Sequence, residues 1–186
     1  NNAAGGGCHD MDIGITKFGT DVIREMNRVG MFIDCSHTSY MTTMEAMELS
    51  ESPVIFSHSN SRVINDHERN IWDDQAIACA ATGGVVGVNG IGVFLGQNDI
   101  SSANMARHIL YYVNLIGAKH VGIGVDYEFI DLHNIDKDSE TFDETLADNP
   151  DFWPPEQYPG GAVRCASPLQ IQEIADILLL KGLKTK

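Results

Sequence analysis

The most restrictive feature of this sequence is a short apolar run followed by a helical segment, repeated along residues 16–126. The apolar runs are too short to be helices, and they alternate with segments whose apolar residues recur every three or four positions. These runs cover residues 31–35, 54–56, 85–88 and 120–125. Strands that alternate with helices build a parallel sheet covered by helices. The sequence therefore predicts an α/β fold with about four βα units.

The predicted helices begin and end at residues suited to those positions. Residues 16–29 form an amphipathic segment that stops at Gly30, and either Thr38 or Ser39 can cap the second helix. The third begins near Trp72 with two aspartates in its first turn, where the helix dipole favours acidic groups. The later helices cover residues 101–116 and 168–180.

Polar residues follow the apolar runs where the predicted strands end. His37 follows the first run, His58 the second, and Asp126 the fourth. Neighbouring strands are about 4.8 Å apart, so the two imidazoles should lie side by side and reach one metal ion. With a carboxylate at the same edge, such a pair is typical of metal-assisted hydrolysis. The structural alternative is that each histidine caps its strand through a hydrogen bond to a loop.

Composition excludes several other classes of protein. The chain has 26 acidic and 12 basic residues, a net charge of −14, so it lacks the basic face that nucleic-acid binding requires. No apolar run approaches the ~20 residues of a transmembrane segment, and the compartment stays open. The four cysteines are widely spaced without a C-x-x-C pair, and free thiols are expected. Neither the glycines of 87–92 nor the acids of 131–151 match a dinucleotide or calcium motif.

Five segments of the chain match a known protein family in their sequence and in their spacing. They read DCSHTS at 34–39, PVIFSHSNS at 53–61, HERN at 67–70, GGVVGVN at 83–89 and HVGIGVD at 120–126. In these segments the sequence resembles the renal (membrane) dipeptidase family of zinc peptidases. The resemblance implies a (β/α)₈ TIM barrel of the metal-dependent hydrolase type, seen here as its second half.

The resemblance also implies a division of the chain. Residues 1–15 would be a loop from the preceding part of the barrel, and 16–126 its βα units. Residues 127–167 would form an acidic, Pro/Gly-rich substrate loop, and 168–186 a terminal helix. The five strand residues expected to face the barrel interior, without an opposing layer, are Ile33, Val54, Phe56, Val86 and Val88.

The family's functional residues map onto four positions of this chain. By resemblance, His37 and His58 bind one zinc of a two-metal centre, and Arg69 grips the carboxylate of the substrate. Asp126 would lie near the substrate amino group and take part in proton transfer, as both a substrate-binding and a catalytic residue. The implied activity is hydrolysis of dipeptides by a metal-bound hydroxide.

Alternatives remain for both function and assembly. Another amide-cleaving metallohydrolase of the same barrel type is one, and a half-barrel that is inactive without a complementary chain is another. The expected partners are a dipeptide, the missing N-terminal half of the barrel and, in a homodimer, a second copy.

Other polar residues are given structural or solvent-exposed roles. His108 lies in a predicted helix and His120 begins a predicted strand, so both are expected to be structural. His67 is expected at a solvated loop position. The glycine-rich segment around Cys8–Asp10 is expected to be a mobile loop.

Overall fold

A computed structural model describes residues 3–127, 150, 154–158 and 163–183. In this part of the chain, helices and short strands alternate as the sequence predicts. The helices are α1 (Lys17–Val29), α2 (Tyr40–Leu49), α3 (Asp73–Ala81), α4 (Gly92–Leu95), α5 (Ser102–Ile116) and α6 (Ile171–Leu180). The strands are β1 (Ile33–Asp34), β2 (Val54–Ile55), β3 (Val86–Val88) and β4 (Val121–Ile123). The α/β class is confirmed, and most of the predicted loop 127–167 lies outside the described residues.

The strands run parallel in chain order. β1 pairs with β2, with Ile33 opposite Val54, and β3 pairs with β4, with Val86 opposite Val121. A parallel bridge between Phe56 and Val86 connects the two pairs. All four carboxyl ends therefore lie at the same edge, where parallel α/β proteins place their functional groups.

The ends expected from the sequence form at α1 and α2. Thr16 accepts a hydrogen bond from the backbone N–H of Gly19 at the start of α1, and Gly30 ends this helix with φ of 75°. Ser39, rather than Thr38, caps α2. A 3₁₀ turn over Pro168–Gln170 precedes α6. The short helix α4 was not predicted from the apolar pattern. None of the helices described is long and apolar enough to cross a membrane.

The strand side chains expected to line an open barrel interior lie in the hydrophobic core. Four of the five are at most 1% exposed and the fifth is 7% exposed: Val54, Phe56, Val86, Val88 and Ile33. They share one buried cluster with helical residues that include Ala76, Met105 and Ile109. The prediction for these residues is wrong because it assigned the apolar side of the strands to the interior, whereas the helices cover that side.

Gly84 lies where the chain entering β3 passes close to β2. A Cβ at this position would fall inside contact distance of the carbonyl oxygen of Val54, a backbone atom that cannot move without shifting the strand. We expect Gly84→Ala to lower the free energy of unfolding by about 2 kcal/mol or more, measured by urea denaturation. Gly122→Ala is the matched control, since its Cβ would meet a Val85 methyl at 3.3 Å and the Gly87 Cα at the ordinary contact distance of 4.0 Å. Equal effects of the two substitutions would contradict this explanation.

His108 is structural, as expected, and carries no exposed surface. Its Nδ1 accepts the backbone N–H of Ser61 at 3.3 Å and its Nε2 donates to the carbonyl of Leu95 at 3.2 Å. Burial lowers the pKa of His108 from 6.5 to about 4, with a smaller lowering by Arg107. The folded protein therefore holds this imidazole neutral over a pH range in which the unfolded chain protonates it.

We expect acid to destabilise the fold through this residue. The contribution is complete above pH 6.5 and is lost as the pH falls towards 4, because the unfolded state binds the extra proton. Between pH 7 and pH 4.5 the loss should be about 2 kcal/mol. Urea unfolding at the two pH values measures it, and His108→Gln should show a smaller difference. An unchanged pH dependence in that variant would contradict the assignment.

Candidate active site

Two histidine rings meet at the carboxyl edge of the strands. His37 follows β1 through a turn in which its own φ is 70°, and His58 lies three residues beyond β2. Their Nε2 atoms are 3.0 Å apart and their ring centroids 5.0 Å apart. The structure therefore brings together the two residues that the sequence placed side by side.

Both imidazoles are neutral at pH 7. Burial, followed by the positive charges of Arg69 and of a protonated His58, lowers the pKa of His37 from 6.5 to about 4. Burial and Arg69 also lower the pKa of His58, against the opposing effect of Asp126. A neutral imidazole offers a nitrogen lone pair, which is the form in which histidine binds metals.

Arg69 lies beneath this pair and is only 2% exposed. Its Nε donates to Nδ1 of His37 at 3.0 Å, while its Nη atoms donate to Ser59 Oγ at 3.4 Å and to the His58 carbonyl at 3.2 Å. Burial lowers the pKa of this guanidinium. In this structure the predicted carboxylate-binding residue is hydrogen-bonded to the histidine pair itself.

Asp126 completes the group from the end of β4. Its Oδ2 accepts a hydrogen bond from Asn89 Nδ2 at 3.1 Å and lies 3.8 Å from Nε2 of His58. Like His37, Asp126 has a positive φ, 58°, a backbone conformation that non-glycine residues adopt at a cost. The side chain of Asn60 in turn holds the backbone of Asn89. Its Nδ2 donates to the Asn89 carbonyl at 3.1 Å, and its Oδ1 accepts the Asn89 N–H at 3.0 Å.

Behind His58 lies a carboxylate that the sequence analysis did not single out. Asp34, at the end of β1, contacts the Ser57 hydroxyl, and Ser57 Oγ is 2.6 Å from Nδ1 of His58. Burial would raise the pKa of Asp34, but hydrogen bonds from Ser57 and Ser36 outweigh it and lower the pKa. Asp34 is part of the matched DCSHTS segment, but its contact with Ser57 requires the pairing of β1 with β2.

The N-terminal segment predicted to be a mobile loop packs against this site. Gly7 pairs with Thr38 in an antiparallel bridge, and the Cys8 N–H donates to the His37 carbonyl at 2.8 Å. His9 contacts Glu68 Oε2 at 2.9 Å and Tyr158 OH at 3.2 Å. The prediction is wrong because it was based on the glycine content of the segment. That content does not indicate contacts with residues far away in the sequence.

His67 is buried rather than solvated. It is 7% exposed, its ring packs against Phe94 and Tyr158, and its Nε2 donates to the Gln157 carbonyl at 2.9 Å. The prediction of a solvated position is wrong because residues 154–158 cover this loop. His120 was expected to be structural, and this is confirmed. It lies in a 3₁₀ turn, and its Nδ1 donates to the Gly84 carbonyl at 2.8 Å.

The histidine pair has the spacing of two ligands to one metal. Two nitrogens bound tetrahedrally to zinc at ~2.0–2.1 Å are about 3.3 Å apart. The observed 3.0 Å between the Nε2 atoms of His37 and His58 is close to this value, but His37 accepts the Arg69 bond at Nδ1 and so carries its proton on Nε2, which it would have to release to bind a metal. Within the described part of the chain, no group of three or more His, Cys, Asp and Glu residues could hold a metal. These residues thus fit part of a metal site, two ligands of the three usual for catalytic zinc.

The described strands are parallel, and two imidazoles, a guanidinium and a carboxylate meet at their carboxyl ends. This arrangement defines an α/β protein with a polar site at that edge of the sheet. The chain belongs to the membrane dipeptidase family, peptidase family M19, whose sequence model matches residues 3–147. The resemblance carried by the five segments is thereby confirmed.

Curated relatives share this part of the sequence. An uncharacterized dipeptidase of Schizosaccharomyces pombe is 39% identical over 122 residues, which are 64% of this chain and 29% of the relative. Dipeptidase verJ of Clonostachys rogersoniana is 36% identical over 119 residues, 64% of this chain and 31% of the relative. The matched region therefore spans about a third of the length of these relatives.

Solved structures share the fold. An amidohydrolase from Pseudomonas aeruginosa superimposes on 99% of this chain with a TM-score of 0.81 and 28% identity, covering 56% of that protein. A metallopeptidase from Rhodobacter sphaeroides, liganded with a phosphinate mimic of the dipeptide L-Ala-D-Ala, matches 68% of this chain and 37% of its own, with a TM-score of 0.60 and 27% identity.

Proposed function

We propose that this chain contributes to the metal-dependent hydrolysis of dipeptides, with His37 and His58 as ligands to one zinc ion. The observation that carries the proposal is the meeting of their Nε2 atoms at 3.0 Å beside Arg69 and Asp126. When bound, a divalent cation polarises the amide carbonyl and lowers the pKa of water to ~7. Membership in the membrane dipeptidase family supports a peptidase role.

The two charged residues would bind the ends of the dipeptide. A guanidinium offers two parallel hydrogen bonds to a carboxylate, so Arg69 would bind the C-terminal carboxylate on releasing one of its present acceptors. Asp126 is partly exposed, with Oδ2 3.8 Å from Nε2 of His58, and its carboxylate would pair with the substrate ammonium or accept a proton. The opposite charges would fix the direction in which a dipeptide lies.

The proposal also concerns the larger assembly. Since catalytic zinc usually has three protein ligands, we infer that further ligands, and the second metal of a two-metal centre, depend on residues outside those described. A (β/α)₈ barrel whose second half is this chain supplies such residues from its first half, and the parallel order of β1–β4 supports that arrangement. A homodimer of this chain is a separate proposal for its assembly.

Metal analysis combined with a peptidase assay tests the proposal. We expect stoichiometric zinc in the purified protein and release of free amino acids from L-Ala-L-Ala or L-Ala-D-Ala, abolished by a chelator and restored by zinc. Zinc without turnover on the 186-residue chain alone, followed by turnover once an N-terminal half-barrel is added, would show that the activity requires the first half of the barrel. Neither zinc nor turnover, including after addition of an N-terminal half-barrel, would reject the function.

A second candidate is cleavage of amides other than dipeptides by the same site. The observation that favours it is the likeness over 99% of the chain to a structure described as an amidohydrolase. Blocked substrates separate the two, because an amide hydrolase of that kind does not need the free carboxylate that Arg69 would bind.

A further inference from the structure

The Ser57 side chain connects Asp34 to His58. Ser57 Oγ lies 2.6 Å from Nδ1 of His58 and contacts Oδ2 of Asp34. Asp34 is itself held in place, because its Oδ1 accepts the backbone N–H groups of Ser36 at 2.9 Å and Ser57 at 3.0 Å. The three side chains thus form a chain of hydrogen bonds that runs from the end of β1 to the histidine pair.

The direction of these bonds follows from the number of protons available. An ionised carboxylate only accepts hydrogen bonds, and a serine hydroxyl has one proton to donate. That proton goes to Asp34, the charged and nearest acceptor, rather than to Ser36 Oγ at 3.3 Å. Ser57 can then only accept from His58, so the imidazole proton lies on Nδ1.

The Nε2 lone pair of His58 is left facing His37 and accepts the Nε2–H of that residue at 3.0 Å, since His37 Nδ1 accepts from Arg69. Among the charged groups around the ring, Arg69 donates to the His58 backbone carbonyl and not to the imidazole. Oδ2 of Asp126 is 3.8 Å from Nε2, beyond hydrogen-bond distance. Neither group holds a proton on Nε2.

We propose that Asp34 and Ser57 are positioning residues that hold His58 as its Nδ1–H tautomer and keep Nε2 available to a divalent cation. Metal-binding histidines commonly donate their second N–H to a carboxylate, and here a serine hydroxyl stands between the two groups. This inference rests on the proposed metal role of His58. It assigns functions to two residues that contact neither metal nor substrate.

Asp34→Asn is the most informative variant because it reverses the relay without changing its shape. The asparagine carbonyl can still accept the two backbone N–H groups, while its amide nitrogen donates to Ser57 Oγ. The Ser57 hydroxyl then donates to Nδ1 of His58, and the imidazole proton moves to Nε2, where it opposes the Nε2–H of His37 and breaks the hydrogen bond between the two rings. Ser57→Ala removes the relay, whereas Ser57→Thr keeps a hydroxyl.

Two measurements report on the relay. Long-range ¹H–¹⁵N NMR of metal-free protein with labelled histidine should show the Nδ1–H tautomer of His58 in the wild type and Ser57→Thr, and Nε2–H in Asp34→Asn. Competition with a fluorescent chelator should show zinc binding weakened about 10- to 100-fold in Asp34→Asn and Ser57→Ala. Ser52→Ala, a serine preceding β2 at its opposite end, is the control and should change neither.

The outcomes separate this inference from the proposed function. An Nε2–H tautomer in the wild type overturns the relay whatever the zinc affinity, and it needs no variant to fold. Wild-type zinc affinity and tautomer in Asp34→Asn overturn it as well. If the wild type binds no zinc but His58 has its proton on Nδ1, the metal role fails while the assigned hydrogen-bond direction is supported.

Discussion

Replacing His58 with alanine should remove zinc from the protein and, with it, nearly all dipeptidase activity. The structure places Nε2 of His58 3.0 Å from that of His37, so the variant would leave a single imidazole of the pair. Loss of a direct ligand should weaken zinc binding by more than the ~10–100-fold that follows loss of an outer hydrogen bond. Metal analysis after dialysis and a zinc-competition titration measure the effect.

The control for this variant is another histidine replaced in the same way. His120 contacts the Gly84 carbonyl before β4, at the end of the strands opposite the site, so His120→Ala should retain zinc. A circular-dichroism melt of each variant checks that the fold is intact. Undiminished zinc content in folded His58→Ala would rule out this histidine as a ligand.

Replacing Arg69 with lysine should reduce kcat/KM for free dipeptides by about 10- to 150-fold, mainly through KM, since hydrogen bonds to charged groups contribute about 1.5–3 kcal/mol. Lysine keeps the positive charge but loses the planar pair of donors. The same reaction on a dipeptide amide, which has no terminal carboxylate, should be affected much less. This difference between substrates identifies carboxylate binding, whereas a disturbed histidine pair would slow both reactions.

Arg62→Lys provides a matched control on the neighbouring loop. Arg62 bonds to Asp66 at 2.7 Å and stacks on Trp72, and it touches neither histidine of the pair. Its replacement should leave the kinetics near the wild-type values. Equal losses on the free and amidated dipeptides in Arg69→Lys would show that Arg69 only supports His37, through the 3.0 Å bond to Nδ1.

The secondary structure was predictable because its signals are local. Thr16 and Gly30 mark the ends of α1, and Gly117 ends α5 where the helical period stops. The exception is α4, a four-residue helix too short to show a period. The face of each strand was harder to assign, because an apolar strand residue fits equally well inside a barrel or beneath helices.

Much of the candidate site was predictable for a different reason. His37, His58 and Asp126 each follow an apolar run, and strands paired in parallel bring their ends together. Arg69 was assigned to the site only because the HERN segment at 67–70 resembles the dipeptidase family. The pairing of Asp34 with Ser57, and the burial of His67 under residues 154–158, were not predicted.

By itself the sequence determined which segments become strands and helices, and which polar residues stand where strands finish, because hydrophobic period and capping depend on near neighbours along the chain. Tertiary structure alone decided that helices cover the apolar side of the strands, that His9 reaches Tyr158, and that Arg69 bonds to His37. These contacts join residues between 32 and 149 positions apart, so they depend on packing that no local pattern encodes.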